Sequence, residues 1–255
     1  MKNIPLLVGT ILGTLLLVVG VAFFFSNSQT TPEGETQIVD QGVLTQDARH
    51  IYGAEDAAIT IVEFSDFSCP SCRATQPLLE QVADQYPEDV RLIYRQFPLG
   101  SFPNTQLAAQ ASEYMAEQGL FWEFGDLLYE RQPEWSQIRS ESELQETLVG
   151  YAQELGIDTT DFTEKIQDTK YRDLVYADRS LGNSLNVSGT PTLFVNGQRL
   201  SAPNQLPSLI EAMLAADSST SQEEMERTEE VSTQDPEAET IEDAEIEVTE
   251  SEDSN

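Results

Sequence analysis

Residues 58–64 read Ala-Ile-Thr-Ile-Val-Glu-Phe, a short β-branched apolar run with Gly53 and an acidic, Ala-containing stretch before it, which predicts a buried strand. Leu78, Leu79 and Val82 then recur at helical spacing within 73–86, so a helix follows the strand after a short turn. Residues 90–95 predict a second strand, ended by Phe97-Pro98. A long helical pattern comes next, over 106–118, 121–130, 141–155 and 161–166, with breaks at Gly119, Gln132-Pro133 and Gly156. A further helix is expected over 171–185, with Asn186 as its stop. Residues 192–195 and 198–200 flank Asn196-Gly197, a dipeptide that suits a type I′ hairpin because both of its residues tolerate positive φ. A last helix is expected over 206–216. Strand, helix, strand, several helices, hairpin and helix together predict an α/β domain over 49–216, with a helical insertion at about 104–185.

The two ends follow other patterns. From Ile4 to Phe25 no residue is charged, and the run is long enough for a transmembrane helix, which needs about 20 apolar residues. Residues 1–25 are therefore expected to be a membrane anchor; cleavage near Ser26-Asn27-Ser28, giving a secreted protein, is the alternative. Lys2 precedes the apolar run and no Lys or Arg follows it until Arg49, a bias that places the bulk of the chain outside the cytoplasm, at the periplasmic or cell-surface side. Residues 26–48 read as a polar linker. Residues 217–255 are rich in Glu, Asp, Ser and Thr, hold no aromatic residue and have Arg227 as their only base. Such a segment buries too little apolar surface to offset chain entropy and reads as a disordered acidic tail. The formal charge of −32 argues against nucleic-acid binding, because phosphate contacts need clustered Lys and Arg.

Charge sets the setting; the cysteines set the chemistry. The 255 residues contain only two, Cys69 and Cys72, separated by Pro70 and Ser71. A structural zinc site takes four Cys or His ligands, and beside this pair the chain offers the single histidine His50. A static disulfide across so small a loop stabilises little, since the entropic gain grows with loop length. The third reading, a redox pair, draws on position. Cys69 follows a strand and Pro70 suits the first helical turn, where its missing N–H is not needed. Cys69 then sits at a helix N-terminus, where the helix dipole and backbone N–H groups favour the thiolate, with Arg73 close by. Cys72, one turn in, is expected to be more buried, to keep a higher pKa and to act as the resolving thiol. An oxidising compartment is where disulfides persist.

The stretch Gly53–Cys72, the strand end at Tyr94–Leu99 and the segment Val187–Gly197 together resemble the membrane-anchored DsbA-like thiol:disulfide oxidoreductases of the thioredoxin superfamily, over about residues 50–215. The resemblance implies a thioredoxin-like fold with a helical insertion and disulfide exchange with reduced exported proteins. It implies that Cys69 is the nucleophile and that Cys72 closes the pair. Pro191 is expected to follow a cis peptide bond from Thr190, with the Thr190 backbone offered to an extended substrate. Glu63 matches a buried acid beneath the active site that relays a proton to Cys72; a strand-end carboxylate facing solvent is the plain alternative. Pro77 matches a helix kink. No cofactor is expected beyond the redox-active disulfide, and no metal. A quinone-linked membrane partner of the DsbB or vitamin K epoxide reductase (VKOR) type is implied for reoxidation. Ser71 stands where the strongest oxidant of the family has His, so a milder potential is expected, between about −120 and about −270 mV.

Two other function classes stay open: a reductase or isomerase running in the opposite direction, and a tethered binding or chaperone module whose disulfide is structural. Trp122, Trp135, Phe121 and Phe124 suit either a substrate groove or a core. Ser180 and Ser184 have no histidine near them in sequence, which disfavours a Ser-His-Asp hydrolase.

Overall fold

The computed structural model describes residues 37–217 and 219. The expected anchor at 1–25, the first part of the linker and nearly all of the acidic tail lie outside the described residues. Among the described residues no helix is long and apolar enough to cross a membrane. The chain divides after Leu209 into two units. The first holds every element named below; the described residues of the second continue a helix over 206–217.

Five strands form one mixed sheet: β1 (His50–Gly53), β2 (Ile59–Ser65), β3 (Val90–Gln96), β4 (Thr192–Val195) and β5 (Gln198–Arg199). Their order across the sheet is β1-β3-β2-β4-β5. Only β2 and β3 run parallel, with Ile59 opposite Val90 and Ser65 opposite Gln96. All seven residues of β2 are buried, as expected of a central strand covered on both faces. Because side chains alternate along a strand, Val62 and Phe64 face one side of the sheet while Glu63 and Ser65 face the other.

That alternation separates two cores. On one side Val62 and Phe64 pack with Leu44, Ile93, Phe97, Val187 and Phe194. Gly182 is required here: a Cβ on it would lie 2.6 Å from the Phe97 ring. On the other side, Phe67, Cys69, Cys72 and Tyr94 join a core built largely from the helices between β3 and β4.

Those helices are α3 (Thr105–Glu117), α4 (Phe121–Glu130), α5 (Gln132–Trp135), α6 (Glu141–Glu154), α7 (Phe162–Lys165) and α8 (Thr169–Ser184); α2 (Pro70–Gln85) precedes β3 and α1 (Gln41–Thr45) precedes β1. The aromatic residues of α4 and α5 are core, not an open groove: Phe124 and Trp135 are fully buried, and the Trp135 indole donates to the Leu128 carbonyl oxygen at 2.8 Å. Trp122 alone is half-buried, edge-on to Tyr52.

The stretch assigned to the linker carries structure from residue 37 on. Ile38 bridges to Gln198 in β5, Val39 N–H donates to the Gly197 carbonyl oxygen at 2.8 Å, and Asp40 caps α1. The physical reason is an open sheet edge: β5 is only two residues long, and the incoming chain satisfies its backbone groups. Strand β1 also goes beyond the sequence expectation. Its four residues are mostly exposed, so they show no buried alternation to read. The β4–β5 turn has φ of 45° at Asn196 and 85° at Gly197, the pair of positive values a type I′ hairpin requires.

Candidate active site

Asp66 builds the turn from β2 to α2. Its carboxylate accepts from the N–H of Ser68 at 2.8 Å and of Leu99 at 2.7 Å, and from the Thr105 hydroxyl. Cys69 then caps α2 with extended backbone, φ −81° and ψ 120°, and Pro70 fills the first turn without wasting a donor. Pro70 and Ser71 are exposed, whereas Cys69 is 5% exposed and Cys72 fully buried. Both cysteines are free thiols. Pro77 lies inside α2, which continues past it to Gln85.

Cys69 faces the loop before β4. Its Sγ donates to the Thr190 carbonyl oxygen at 3.3 Å, and the peptide bond from Thr190 to Pro191 is cis. The two sulfurs are pushed in opposite directions. The Cys69 thiol is held down to about 5, first by a hydrogen bond from the Cys72 thiol, then by the backbone N–H groups of Cys72 and Ser71, against the cost of burial. Burial pushes the Cys72 thiol well up, and the Cys69 sulfur and the Glu63 charge push the same way. Arg73 is not among the leading influences on Cys69; its guanidinium donates to the Glu130 carbonyl oxygen at 3.3 Å.

Beneath Cys72, Glu63 is fully buried rather than turned to solvent. Burial raises its carboxyl to about 8, against a hydrogen bond from Ser65, with the Cys69 charge adding to the rise. The Ser65 hydroxyl donates to Glu63 Oε1 at 2.8 Å and lies 2.8 Å from the Tyr129 hydroxyl. Among the described residues Glu63 Oε2 has no hydrogen-bond partner. Among the described residues no group of three or more His, Cys, Asp or Glu side chains is arranged to hold a metal ion. His50 is engaged elsewhere: it lies 2.8 Å from Glu113 and stacks on Phe121 with ring centroids 3.6 Å apart.

The structure thus gathers Glu63, Cys69, Cys72, Thr190 and Pro191 at one end of the sheet, with Pro70 and Ser71 at its surface. A family model described as "Thioredoxin" (Thioredoxin_4) matches residues 45–215, about two thirds of the chain. The chain belongs to this thioredoxin family. Among solved structures, oxidised BdbD from Bacillus subtilis is 24% identical with a TM-score of 0.59, covering 71% of this chain and 97% of that one. The thiol-disulfide exchange protein alpha-DsbA2 from Wolbachia pipientis is 20% identical with a TM-score of 0.55, covering 68% and 91%. Both likenesses concern the fold. A curated relative, the Na(+)/H(+) antiporter NhaA 3 of Salinispora tropica, is 36% identical over 171 residues, which is 67% of this chain and 25% of the relative. The chain therefore spans about a quarter of the length of the curated relatives it matches.

Within this thioredoxin-family site, Ser65, Asp66, Tyr129 and Gln132 were not singled out from the sequence. Ser65 had a usable signal, since it lies one position past the strand read over 58–64 and, if that strand continues, two positions after Glu63 on the same face. Tyr129 and Gln132 had none: they lie some 60 residues from the cysteines, in the helical insertion, and only the packing of α4 and α5 brings them in.

Proposed function

We propose that the chain is an extracytoplasmic thiol:disulfide oxidoreductase that donates its Cys69–Cys72 disulfide to reduced cysteines of exported proteins. The observation that carries this reading is the asymmetry of the pair: Cys69 is held down to about 5 beside Thr190-Pro191, while Cys72 is buried over Glu63 and pushed up. A substrate thiolate attacks the Cys69 sulfur, the Cys69–Cys72 bond breaks, and its electron pair leaves on Cys72, which takes a proton from Glu63. A second substrate thiolate then attacks the substrate sulfur of the mixed disulfide, and Cys69 leaves as a thiolate. The substrate loses two electrons and the pair gains them.

The same asymmetry supports this direction. A thiolate stabilised at Cys69 favours the reduced form, which makes the oxidised form the better donor. Ser71 is exposed and neutral, in keeping with a potential milder than the strongest oxidant of this kind. Tethering through residues 1–25 and reoxidation by a quinone-linked membrane oxidase of the DsbB or VKOR type complete the cycle we propose. The transport named for the antiporter relatives is not carried over to this chain. A Cys72→Ala variant expressed with its anchor should accumulate mixed disulfides with exported proteins through Cys69. A potential near that of thioredoxin, about −270 mV, would favour the reductase reading instead, and a failure to trap any species would count against the roles given to the two thiols.

A further inference from the structure

Exchange at a buried pair is also a proton problem. When Cys72 attacks a mixed disulfide at Cys69, its thiol proton must leave, yet Cys72 and Glu63 are both fully buried. Ser65 is placed to carry that proton. Its hydroxyl bonds Glu63 Oε1 and approaches the Tyr129 hydroxyl, each at 2.8 Å, and it lies near enough to Cys72 to hold that thiol down against the effect of burial. Tyr129 belongs to the wall of a cleft of about 250 Å³ between α2 and α4, shared with Arg73, Gln76, Glu80, Asp126 and Glu130. Hydroxyls suit the task, because each donates one proton while accepting another.

We propose that the Ser65 and Tyr129 hydroxyls form the path by which protons leave and reach Cys72 and Glu63, with the acidic cleft beside α2 as its outer end. This rests on the redox reading of the pair. The outward step balances. Cys72 S–H gives up its proton to the Ser65 oxygen as its electron pair forms the bond to Cys69, Ser65 turns its own hydrogen from Glu63 to Tyr129 and passes it on, and Tyr129 releases one to the cleft. The Cys69–substrate bond breaks at the same time and the substrate leaves as a thiolate. The groups facing Glu63 are Cys72 and Cys69 from α2 and its cap, Ser65 from β2, Tyr94 from β3 and Tyr129 from α4. The cleft adds Arg73 and Glu80 from α2 with Asp126 and Glu130 from α4; Asp126 is pushed up to about 7 by burial and by Glu80, with Glu123 adding to the rise.

The test is closure of a Cys69–glutathione mixed disulfide, prepared on the full chain and followed as glutathione release between pH 6 and pH 9. This reaction is intramolecular and needs no protein substrate, so it reports on the path even if the chain never oxidises exported proteins. Tyr129→Phe and Ser65→Ala should slow closure about 100-fold or more at pH 6–7, within the usual range for a lost proton-transfer group. Above pH 8 the defect should vanish, because Glu63 is then ionised and accepts the Cys72 proton directly. The Cys69 alkylation profile should stay that of the wild type. A closure rate and pH profile equal to wild type, or a defect equal at every pH, overturns the proposal. Ser65→Ala decides the matter if Tyr129→Phe fails to fold.

Discussion

The Gln132 amide donates to the Cys69 carbonyl oxygen at 3.0 Å and to the Phe67 carbonyl oxygen at 2.7 Å. One buried side chain of the helical insertion thus holds both ends of the turn that presents the nucleophile. Gln132→Ala leaves the Phe67 carbonyl without its donor and should cost about 1–3 kcal/mol of stability, the usual penalty for an orphaned buried group. Urea unfolding measures that cost, and thiolate absorbance at 240 nm shows whether the Cys69 pKa rises with the loosened turn.

A second tie joins insertion and sheet through buried charge. Arg95 of β3 pairs with Asp178 of α8 at 2.8 Å, and Arg49 reaches both Asp178, at 2.7 Å, and Glu113, at 3.2 Å. Asp178→Asn strips the fully buried Arg95 of its anion and should destabilise the fold by about 3–5 kcal/mol, as breaking a buried pair does. Equilibrium unfolding of this variant beside Arg95→Met separates an uncompensated charge from a plain loss of contact, since the Met variant should be hurt less.

Glu63 makes stability depend on pH in a defined direction. Its folded pKa, about 8, lies above its unfolded value near 4.3. A raised carboxyl binds its proton more tightly when folded, so the stability it contributes is full below the unfolded pKa and is lost as pH rises towards the folded one. Wild type should therefore weaken between pH 5 and pH 8. Glu63→Gln, which cannot ionise, should flatten that slope and be more stable than wild type at pH 8 by at least about 2 kcal/mol. Denaturant midpoints at pH 5 and pH 8 check both signs.

The sequence carried the frame of the site because its signals were local. The central strand around Glu63 is an apolar run, Pro70 marks a helix start, and Asn196-Gly197 marks a hairpin; each depends on neighbours within a few positions. What escaped depends on distant partners. Strand β1 is an edge with little buried alternation, and residues 37–39 pair with the β4–β5 hairpin, far away in sequence. Gln132, Tyr129 and the pairing of Arg95 with Asp178 are long-range contacts whose residue types, read singly, look like surface or core. Arg73 shows the converse: adjacency in sequence suggested help for the thiolate, but its side chain is turned to Glu130.

Cys69 itself sets a pH dependence of opposite sign. Its folded pKa, about 5, lies below the ordinary value near 8.5. The stability this gives the reduced form is complete above about pH 8.5. It is lost as pH falls through 5, at about 1.4 kcal/mol for each tenfold difference in proton affinity between the folded and unfolded thiol. The thermal midpoint of the reduced protein should therefore gain on that of the oxidised protein as pH rises from 5 to 8.5.

The most direct test of disulfide donation mixes the oxidised full chain with reduced, unfolded ribonuclease A and counts disulfides in both proteins over time. The expected result is stoichiometric loss of the Cys69–Cys72 disulfide as ribonuclease disulfides appear, far faster than with glutathione disulfide at equal concentration, and no transfer from a Cys69→Ser variant. A Cys69–Cys72 disulfide that stays intact while ribonuclease remains reduced would contradict it.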